Sequence, residues 1–310
     1  MPCYYPLQGY RSIHVNESGK RSIVFNTKDG FRDLPIEVPC GQCVGCRLER
    51  SRQWAMRCMH EAQFHEDNCF ITLTYSDEYL PEDKSLNVRH FQLFMKKLRK
   101  RFGNGIRYFH CGEYGDRYGR PHYHAILFGL DFPDKEPWKD NNGHVLCRSK
   151  ILEEIWTYGY SSIGNVTFDS AAYVARYIMK KATGSMAVDK YFKGIDLSTG
   201  EILLKKPEYT TMSRRPGIGK KWYDEFKRDA YPSDSIHMRG IHMKPPKFYD
   251  SLYQLESPED FELLKSKRKA SAKANWYENT IPRLRVREFV KKSRLKLLKR
   301  GIEEVYDVNV

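Results

Sequence analysis

Short runs of alternating apolar and polar residues open this chain, and longer periodic segments follow them. The first forty residues contain only such short runs, and residues 26–30 have the composition of a turn between two extended pieces. From about residue 47 to residue 220, apolar spacings typical of helices alternate with apolar runs typical of strands. Beyond about residue 220 the strand-like runs stop, and the sequence is predicted to be helical and basic.

The mixed centre contains strands and helices in an order that predicts the fold class. Runs rich in β-branched and aromatic residues predict four strands, over residues 69–75, 106–113, 121–130 and 160–166. Apolar residues at helical spacing predict four helices, over residues 47–64, 87–102 and 149–156 and from residue 169 onward. Asn87, Ser149 and Asp169 are the expected N-caps. This order predicts an α+β fold in which helices lie on one face of a mostly antiparallel sheet, with a polar loop at residues 131–143.

Composition indicates a folded protein with a polyanionic partner. Of 310 residues, 40% are hydrophobic and 14% are aromatic, which is typical of globular domains. No run of about 18 apolar residues is present, so a membrane span is not expected. The first residues lack the basic and apolar regions of a secretory signal, and we expect the protein to act in a cytoplasm. The net charge of +14 favours nucleic acid as the partner.

The basic excess is concentrated near the end of the chain. Residues 265–300 contain 14 lysines and arginines and two acidic residues, which gives a net charge of +12. Trp276, Tyr277 and Phe289 lie among these charges, and aromatic side chains between cations are typical of nucleic-acid surfaces. A solvated helix face is the alternative interpretation of the same run.

Two histidines two residues apart begin an apolar, strand-like run. In a strand, residues i and i+2 point to the same face, so His122 and His124 project side by side, as two ligands of a divalent metal would. A hairpin-length loop joins this strand to the preceding one and can bring Glu113 across from the two imidazoles. Two nitrogens and one carboxylate suit Mg²⁺ or Mn²⁺ held together with a substrate phosphate. His110 is a rival third ligand that alternation points to the other face, and a pair of surface histidines is the alternative to a metal site.

Two tyrosines, Tyr173 and Tyr177, lie one helical turn apart in a predicted helix, and Lys180 and Lys181 continue the same stripe. A phenol with its ordinary pKa of about 10 is a poor nucleophile at neutral pH. A metal-polarised phosphate and a cationic lysine lower the free energy of forming the phenolate, and we assign that role to Lys180. Attack on a DNA phosphate would leave a 5′-phosphotyrosine and a free 3′-hydroxyl. Core aromatics of an amphipathic helix are the alternative.

Three segments, in this order, resemble the motifs of the HUH endonucleases that initiate rolling-circle replication. They are Phe70-Ile71-Thr72-Leu73-Thr74-Tyr75, Pro121-His122-Tyr123-His124 and Tyr173-x-x-x-Tyr177-x-x-Lys180. The double-tyrosine form is similar to the initiators of small single-stranded DNA phages. Three further segments resemble the replication initiation proteins of the gokushovirus branch of the Microviridae, at residues 40–46, 111–115 and 212–219. The resemblance covers roughly residues 2–226.

This resemblance implies both a fold and an activity. The implied fold is a five-stranded antiparallel sheet with flanking helices, which is RRM- or ferredoxin-like. The implied activity is that of a Mg²⁺- or Mn²⁺-dependent replication initiator, which nicks single-stranded origin DNA through a 5′-phosphotyrosine and religates it during rolling-circle replication of a small phage. The implied partners are single-stranded and replicative-form origin DNA in the host bacterial cytoplasm, with host helicase and polymerase as further candidates.

Three parts of the chain are expected on the same basis. Residues 1–66 would form a cysteine-containing N-terminal segment packed on the core. Residues 67–231 would form the HUH nuclease core. Residues 232–310 would form a basic, mainly helical C-terminal region, which either adds non-specific DNA affinity or recruits a host helicase.

Four cations outside the metal site are expected to contact DNA: Arg176, Lys181, Arg214 and Arg215. Arg176 stands where many phage relatives carry lysine, and arginine gives up its proton less readily. Arg214 and Arg215 belong to a Ser-Arg-Arg-Pro-Gly-Ile-Gly segment without the Lys-Ser/Thr ending of a nucleotide-binding P-loop. ATP hydrolysis is therefore not inferred, and an ordinary exposed turn is the alternative.

Three of the eight cysteines fall in one short segment, at positions Cys40, Cys43 and Cys46. In a chain without an export signal, such clustering favours metal over disulfides, since the cytosol keeps thiols reduced. A structural Zn²⁺ would need a fourth ligand, and the candidates are Cys3, Cys58 and His60. Reduced buried thiols and an iron–sulfur cluster are the alternatives, although the Cys-Pro ending of the ferredoxin motif is absent.

A second class of function fits part of the same sequence. In a non-catalytic, zinc-containing DNA- or RNA-binding protein, the charge and the cysteines would suffice, and the tyrosines would only stack on bases. The two classes differ in one outcome, because only the nuclease would form a covalent protein–DNA product.

Overall fold

Fourteen strands and eight helices make up the part of the chain that the structure describes. This computed structural model describes residues 3–17, 19, 21–115, 119–141, 144–177, 191–195 and 202–297. The strands are β1 (Leu7–Val15), β2 (Arg21–Val24), β3 (Gly30–Val38), β4 (Asn68–Tyr75), β5 (Arg107–Tyr114), β6 (Pro121–Phe128), β7 (Glu136–Asn141), β8 (His144–Arg148), β9 (Gly159–Gly164), β10 (Phe192–Ile195), β11 (Ile202–Leu204), β12 (Tyr209–Met212), β13 (Ile236–Met238) and β14 (Ile241–Met243). The helices are α1 (Val44–Ala62), α2 (Val88–Phe102), α3 (Lys150–Ile155), α4 (Phe168–Tyr177), α5 (Lys220–Ala230), α6 (Lys247–Glu256), α7 (Pro258–Ala274) and α8 (Ile281–Leu297).

Seven of the strands form one antiparallel sheet, in the order β12-β5-β6-β4-β9-β8-β7. The expected sheet had five strands. The four strands predicted from the sequence are β4, β5, β6 and β9, and the strands β7, β8 and β12 complete the seven. The prediction of a polar loop at residues 131–143 is wrong over residues 136–141, because β7 lies there. Residues 136–140 are exposed and the strand contains Pro137, as is common at a sheet edge, so the sequence lacks the alternation of a half-buried strand.

Helices cover both faces of this sheet. On one face, α2 and α3 pack against the sheet, with Phe94 and Leu73 in one buried cluster. On the other face, α1 and α4 pack against it, with Ala55 and Val174 in a second cluster around Phe70. The expectation of helices on one face only is therefore wrong. All eight residues of β6 are buried, which is typical of a strand covered on both sides.

Side-chain caps begin three of the helices that flank the sheet, α2, α3 and α4. Asn87 accepts a hydrogen bond from the backbone N–H of Arg89, and Ser149 accepts one from Leu152, so both predicted caps are confirmed. Asp169 is not a cap, because it lies inside the first turn of α4. Thr167 has that role: its hydroxyl accepts from the N–H of Ser170 at 3.0 Å, and the Ser170 hydroxyl accepts from the N–H of Thr167 at 2.8 Å.

Beyond residue 220 the described chain is mainly helical, as predicted, but it contains one short hairpin. The strands β13 and β14 have three residues each and pair through the register His237↔His242. The turn between them consists of Arg239 and Gly240, both with positive φ (56° and 72°), which suits a two-residue hairpin. Three residues are too few to show a period of two, so the sequence pattern did not predict this hairpin.

Two compact units divide the described residues. One contains the residues up to 50 together with residues 265–297, and its sheet has the order β2-β1-β3, with the predicted turn at residues 26–30 between β2 and β3. The other contains residues 51–264, including the seven-stranded sheet. Among the helices described, none has both the length and the apolar character that crossing a bilayer requires.

Candidate metal centre

Two neighbouring strands inside the large sheet bring two histidines and one glutamate together. Strands β5 and β6 pair with Glu113 opposite His122 and Cys111 opposite His124. Residues two apart share a face, so the side chains of Glu113, His122 and His124 all point to the face that α1 and α4 cover. The structure therefore groups the three residues that strand alternation selected.

The distances within this group are those of a tight cluster. The Nε2 nitrogens of His122 and His124 lie 3.0 Å and 2.8 Å from the same oxygen, Oε1 of Glu113. One ligand atom from each side chain lies within 4.8 Å of the other two. The three residues are buried, with exposed fractions of 5% for His122, 0% for His124 and 1% for Glu113.

The outer nitrogen of each imidazole has a hydrogen-bond partner in the protein. Nδ1 of His122 lies 3.0 Å from the backbone carbonyl of Arg120, and Nδ1 of His124 lies 2.9 Å from the Thr72 hydroxyl. Because a carbonyl only accepts, Nδ1 of His122 carries the hydrogen, and in the neutral ring the Nε2 lone pair points at Glu113. A lone pair and a carboxylate oxygen repel each other unless a proton or a cation lies between them. One divalent cation would satisfy all three groups, so the residues fit a metal.

Electrostatics favour a charged carboxylate at this position. Burial by itself would raise the pKa of Glu113, but the His122 and His124 imidazoles outweigh burial and hold the pKa below its usual range. The group therefore offers an anionic oxygen beside two nitrogen donors near neutral pH, which is a donor set that Mg²⁺ and Mn²⁺ accept.

The rival ligand His110 points to the opposite face of the sheet. Its ring stacks on Phe91 of α2 with a centroid distance of 3.4 Å, and its Nδ1 lies 3.0 Å from the Thr211 hydroxyl. Burial and the neighbouring His124 lower the pKa of His110 well below the ordinary value. The structure therefore keeps His110 out of the group formed by Glu113, His122 and His124.

The first tyrosine of the predicted pair lies against this group. Tyr173 of α4 is 3% exposed, and its ring meets the His124 ring edge-on with 5.2 Å between centroids. The guanidinium of Arg176 lies 5.7 Å from the centre of the Tyr173 ring. Tyr177 is the last residue of α4, one turn further along, and the structure describes its backbone only. Lys180 and Lys181 lie outside the described residues.

The remaining predicted residues lie in two other places. Arg214 and Arg215 are exposed in the turn between β12 and α5. Within the first unit, the sulfurs of four cysteines lie within 4.8 Å of one another: Cys3, Cys40, Cys43 and Cys46. The other two candidates for the fourth ligand are not in this group. Cys58 is buried in the cluster around Phe70, and the His60 ring stacks on Trp222 with 3.7 Å between ring centroids.

Two groups at the centre were missed by the sequence analysis, namely the Thr72 hydroxyl and the Arg120 carbonyl. Thr72 lies on β4, directly opposite His124 in the register of β4 and β6. The sequence places Thr72 on the same face of its strand as Thr74, but it does not say which strand neighbours β6. The carbonyl of Arg120 cannot be predicted as a partner from the sequence, because every residue has a backbone carbonyl.

Comparison with known proteins identifies the family. The profile of the family described as replication-associated protein ORF2/G2P matches residues 68–182. This stretch includes β4, β5, β6 and α4, and therefore the histidines, the glutamate and both tyrosines. No solved structure matches the chain.

Three phage proteins show the relationship over most of the chain. Replication-associated protein VP4 of Bdellovibrio phage phiMH2K is 31% identical over 274 residues, which are 85% of this chain and 82% of that protein. Replication-associated protein ORF2 of Spiroplasma virus 4 is 36% identical over 260 residues, 79% of this chain and 77% of that protein. Replication-associated protein ORF4 of Chlamydia phage 1 is 28% identical over 246 residues, 76% of this chain and 58% of that protein. The chain belongs to the family of replication-associated proteins of small phages of the Microviridae type.

Proposed function

We propose that the protein initiates rolling-circle replication of a small single-stranded DNA phage by nicking and religating origin DNA as an HUH endonuclease. The observation that carries this proposal is the position of the Tyr173 ring against His124, one of two imidazoles that converge on the Glu113 carboxylate. Further support comes from the relatives, which are named as replication-associated proteins of phages. The nuclease core would be residues 67–231.

The metal would be Mg²⁺ or Mn²⁺, held by His122, His124 and Glu113. When bound, it would polarise the scissile phosphate and stabilise the charge that develops on it. The protein's own contribution is to orient the ligands: the Arg120 carbonyl and the Thr72 hydroxyl hold the imidazoles with Nε2 directed at Glu113. Burial of all three side chains keeps water from competing for the same atoms.

The nucleophiles would be Tyr173 and Tyr177. In the first step, a bond forms between the phenol oxygen and phosphorus, and the bond from phosphorus to the 3′-oxygen breaks. The phenol proton leaves, the 3′-oxygen gains a proton, and the products are a 5′-phosphotyrosine and a free 3′-hydroxyl. Lys180 would stabilise the phenolate, since a nearby cation lowers the free energy of forming it.

Two tyrosines would allow cutting and joining within one round of replication. The second phenol attacks the newly copied origin while the first still holds the original end. The released 3′-hydroxyl then attacks the first phosphotyrosine, which restores a phosphodiester and a free phenol. One chain thereby closes one circle and begins the next.

The DNA would be held by cations of the same core. The proposed contacts are Arg176, Lys181, Arg214 and Arg215, of which Arg214 and Arg215 are exposed in the described chain. The partners would be single-stranded and replicative-form origin DNA in the host cytoplasm. Host helicase and polymerase would act on the freed strand and the 3′-hydroxyl.

A covalent-adduct assay tests the proposal. The full chain is incubated with an end-labelled, origin-bearing oligonucleotide and Mn²⁺, and the products are separated on a denaturing gel. We expect a protein–DNA band that requires metal and that is absent in the double variant Tyr173→Phe/Tyr177→Phe and in Glu113→Ala. Tyr79→Phe, an exposed change outside the metal centre and α4, is the matched control and should leave the band unchanged.

The assay also separates the two classes of function. A non-catalytic nucleic-acid-binding protein would retard the oligonucleotide on a native gel but would give no band under denaturing conditions. If every origin strand and both metals give that result, the nuclease proposal is wrong. A band that persists in the double variant would instead show that another residue is the nucleophile.

A further inference from the structure

We propose that Cys3, Cys40, Cys43 and Cys46 hold one structural Zn²⁺, which fastens helix α8 to the N-terminal segment and so maintains a cationic groove for nucleic-acid phosphates. All of these elements belong to one compact unit. The zinc site is independent of the proposed function. Only the assignment of nucleic acid to the groove rests on that function.

The distances between the four sulfurs support a zinc site. They lie within 4.8 Å of one another, and the Cys3 and Cys43 sulfurs are 3.9 Å apart. A tetrahedral Zn²⁺ with Zn–S bonds of about 2.3 Å separates its sulfurs by roughly 3.8 Å, so the observed spacing needs only small adjustments. None of the eight cysteines, all of which the structure describes, forms a disulfide, and 3.9 Å is far beyond an S–S bond of about 2.05 Å.

Backbone amides point at these sulfurs, as they would at thiolates. The N–H of Cys40 donates to the Cys3 sulfur at 3.2 Å, and that of Cys43 donates to the Cys40 sulfur at 3.3 Å. The Cys43 sulfur accepts from the N–H of Tyr4 at 3.3 Å and from that of Cys46 at 3.5 Å. Donated hydrogen bonds favour the charged form of a thiol, which is the form that binds metal.

The local chain is shaped for this arrangement. Gly41 has a φ of +74°, in the left-handed region, so the chain reverses directly after Cys40. Helix α1 begins at Val44, which places Cys46 in its first turn. Four protein sulfurs around one point leave no open position, so the site would be structural rather than catalytic. A four-iron cluster would hold its sulfurs farther apart, because iron and sulfide lie between them.

The neighbouring apolar core is too small to hold α8 without help. In the cluster around the cysteines, the buried residues are Tyr4, Cys43 and Leu284. The Tyr5 hydroxyl also donates to the Glu288 carboxylate of α8 at 2.5 Å. A core of this size contributes little free energy of folding, and the free energy of binding a structural metal would add to it. A Zn²⁺ bound through Cys3 would fix the position of the next two residues, Tyr4 and Tyr5, which are the ones that contact α8.

Beside this core, one side of α8 forms a groove of about 230 Å³ whose polar lining is mostly cationic. Four cations line it, together with Tyr4 and two valines: Arg283, Arg287, Lys291 and Arg294. Glu278 pairs with Arg283 and Arg287 at 3.2 Å and 3.5 Å, which fixes these two guanidinium groups at one end. A row of cations spaced along one helix side complements a phosphate backbone, so we assign nucleic acid as the occupant.

Metal analysis of the full chain tests the zinc site. We expect one Zn per chain in protein prepared with zinc, no zinc in Cys43→Ser, and unchanged zinc in Cys147→Ser, whose cysteine lies outside the cluster. Replacement by Co²⁺ should give the intense absorption of thiolate-bound cobalt in the wild-type protein. Iron in place of zinc, or zinc that survives Cys43→Ser, would overturn the assignment.

A second measurement avoids the need for a folded variant. Titration of the native protein with an organomercurial reagent should release one Zn²⁺ as four thiols react, and a metal-sensitive dye reports the release. Release that is not linked to thiol modification would place the zinc elsewhere, for example at Glu113, His122 and His124.

Salt-dependent binding of a random-sequence oligonucleotide tests the groove. The double variant Lys291→Gln/Arg294→Gln should lower the slope of log affinity against log salt by about 2, one for each lost phosphate contact. Lys267→Gln/Lys269→Gln removes the same charge from exposed positions of α7 outside the groove and should change the slope less. An equal decrease of the slope in the two double variants would refute a specific groove. Removal of zinc should lower the slope as Lys291→Gln/Arg294→Gln does. Formation of the covalent protein–DNA adduct at saturating origin DNA measures the proposed nuclease activity independently of binding in the groove.

Discussion

The Nδ1 nitrogen of His124 lies 2.9 Å from the hydroxyl of Thr72, which faces it across the pairing of β4 and β6. This hydrogen bond occupies Nδ1 of His124, and Nε2 is the nitrogen that faces the Glu113 carboxylate, at 2.8 Å. When the hydroxyl accepts from Nδ1–H, the lone pair is on Nε2, which points at Glu113. Thr72 is therefore a positioning residue for the candidate metal centre.

Thr72→Val should weaken metal binding without removing a ligand. Valine has nearly the same shape but cannot accept a hydrogen bond, so His124 loses its orientation and its preferred tautomer. Loss of such an outer hydrogen bond typically lowers metal affinity by about 10–100-fold. We expect a decrease of that size in Mn²⁺ affinity measured by calorimetry, and recovery of most of the affinity in Thr72→Ser.

The pair of Thr211 and His110 provides the matched control. The Thr211 hydroxyl and Nδ1 of His110 lie 3.0 Å apart, in the same kind of hydrogen bond as Thr72 and His124. The His110 ring, however, stacks on Phe91 on the other face of the sheet. Thr211→Val should therefore destabilise the fold to a similar degree and leave Mn²⁺ affinity unchanged. Equal losses of affinity in the two variants would mean that general loosening of the sheet, rather than the orientation of His124, is responsible.

Gly112→Ala should disturb the centre through the backbone of β5. A Cβ at this position would lie 2.8 Å from Cε1 of Tyr209 and 3.1 Å from Cδ2 of Leu86. Overpacking of this kind costs about 1–3 kcal/mol, and the strand that shifts carries Glu113 at the next position. We expect a lower free energy of unfolding in urea together with weaker Mn²⁺ binding. Gly105→Ala, at a position with open space around it, should change neither quantity.

The geometry of the centre was predictable because it depends on local rules. Strand alternation is enough to place His122 and His124 on one face, and a single hairpin is enough to bring Glu113 opposite His122. Both features depend on residues close together in the sequence. The caps at Asn87 and Ser149 were predictable for the same reason, since a cap bonds within three residues of itself.

Features that depend on the order of strands in the sheet were not predictable. The role of Thr72 requires β4 to lie beside β6, and the two are separated by β5 and α2 in the sequence. The selection of Cys3 over Cys58 as fourth partner of the cysteine segment also depends on contacts between distant parts of the chain. The edge strand β7 was missed because exposed residues carry no apolar pattern.

His60 should make the protein less stable in acid. Burial lowers its pKa to about 3 from its ordinary value of 6.5, and its Nδ1 lies 2.8 Å from the Tyr249 hydroxyl. Between pH 6.5 and about pH 3 the unfolded chain binds a proton that the folded chain does not. The free energy of unfolding therefore decreases as the pH falls below 6.5. At pH 5 the loss attributable to this residue is about 2 kcal/mol.

Urea unfolding at pH 7 and pH 5 checks this value. His60→Asn cannot become charged and should lose about 2 kcal/mol less than the wild type between the two pH values. The exposed His14 serves as the control, and His14→Asn should behave as the wild type does. Equal losses in the wild type and His60→Asn would mean that His60 becomes protonated in the folded state.

Each tyrosine of α4 should be able to form the adduct when the other is phenylalanine. The ring of Tyr173 already lies against His124, so Tyr177→Phe should retain cleavage through Tyr173, at a rate reduced several-fold at most. The sequence allows the linked residue to be identified directly, because Arg176 separates the two tyrosines and trypsin cleaves after arginine. Mass spectrometry of the digested wild-type adduct should therefore find the nucleotide either on the peptide that ends at Arg176 or on Tyr177-Ile-Met-Lys180. Nucleotide on the second peptide alone, together with complete loss of cleavage in Tyr177→Phe, would show that Tyr173 is a core aromatic residue and that a single tyrosine makes the first cut.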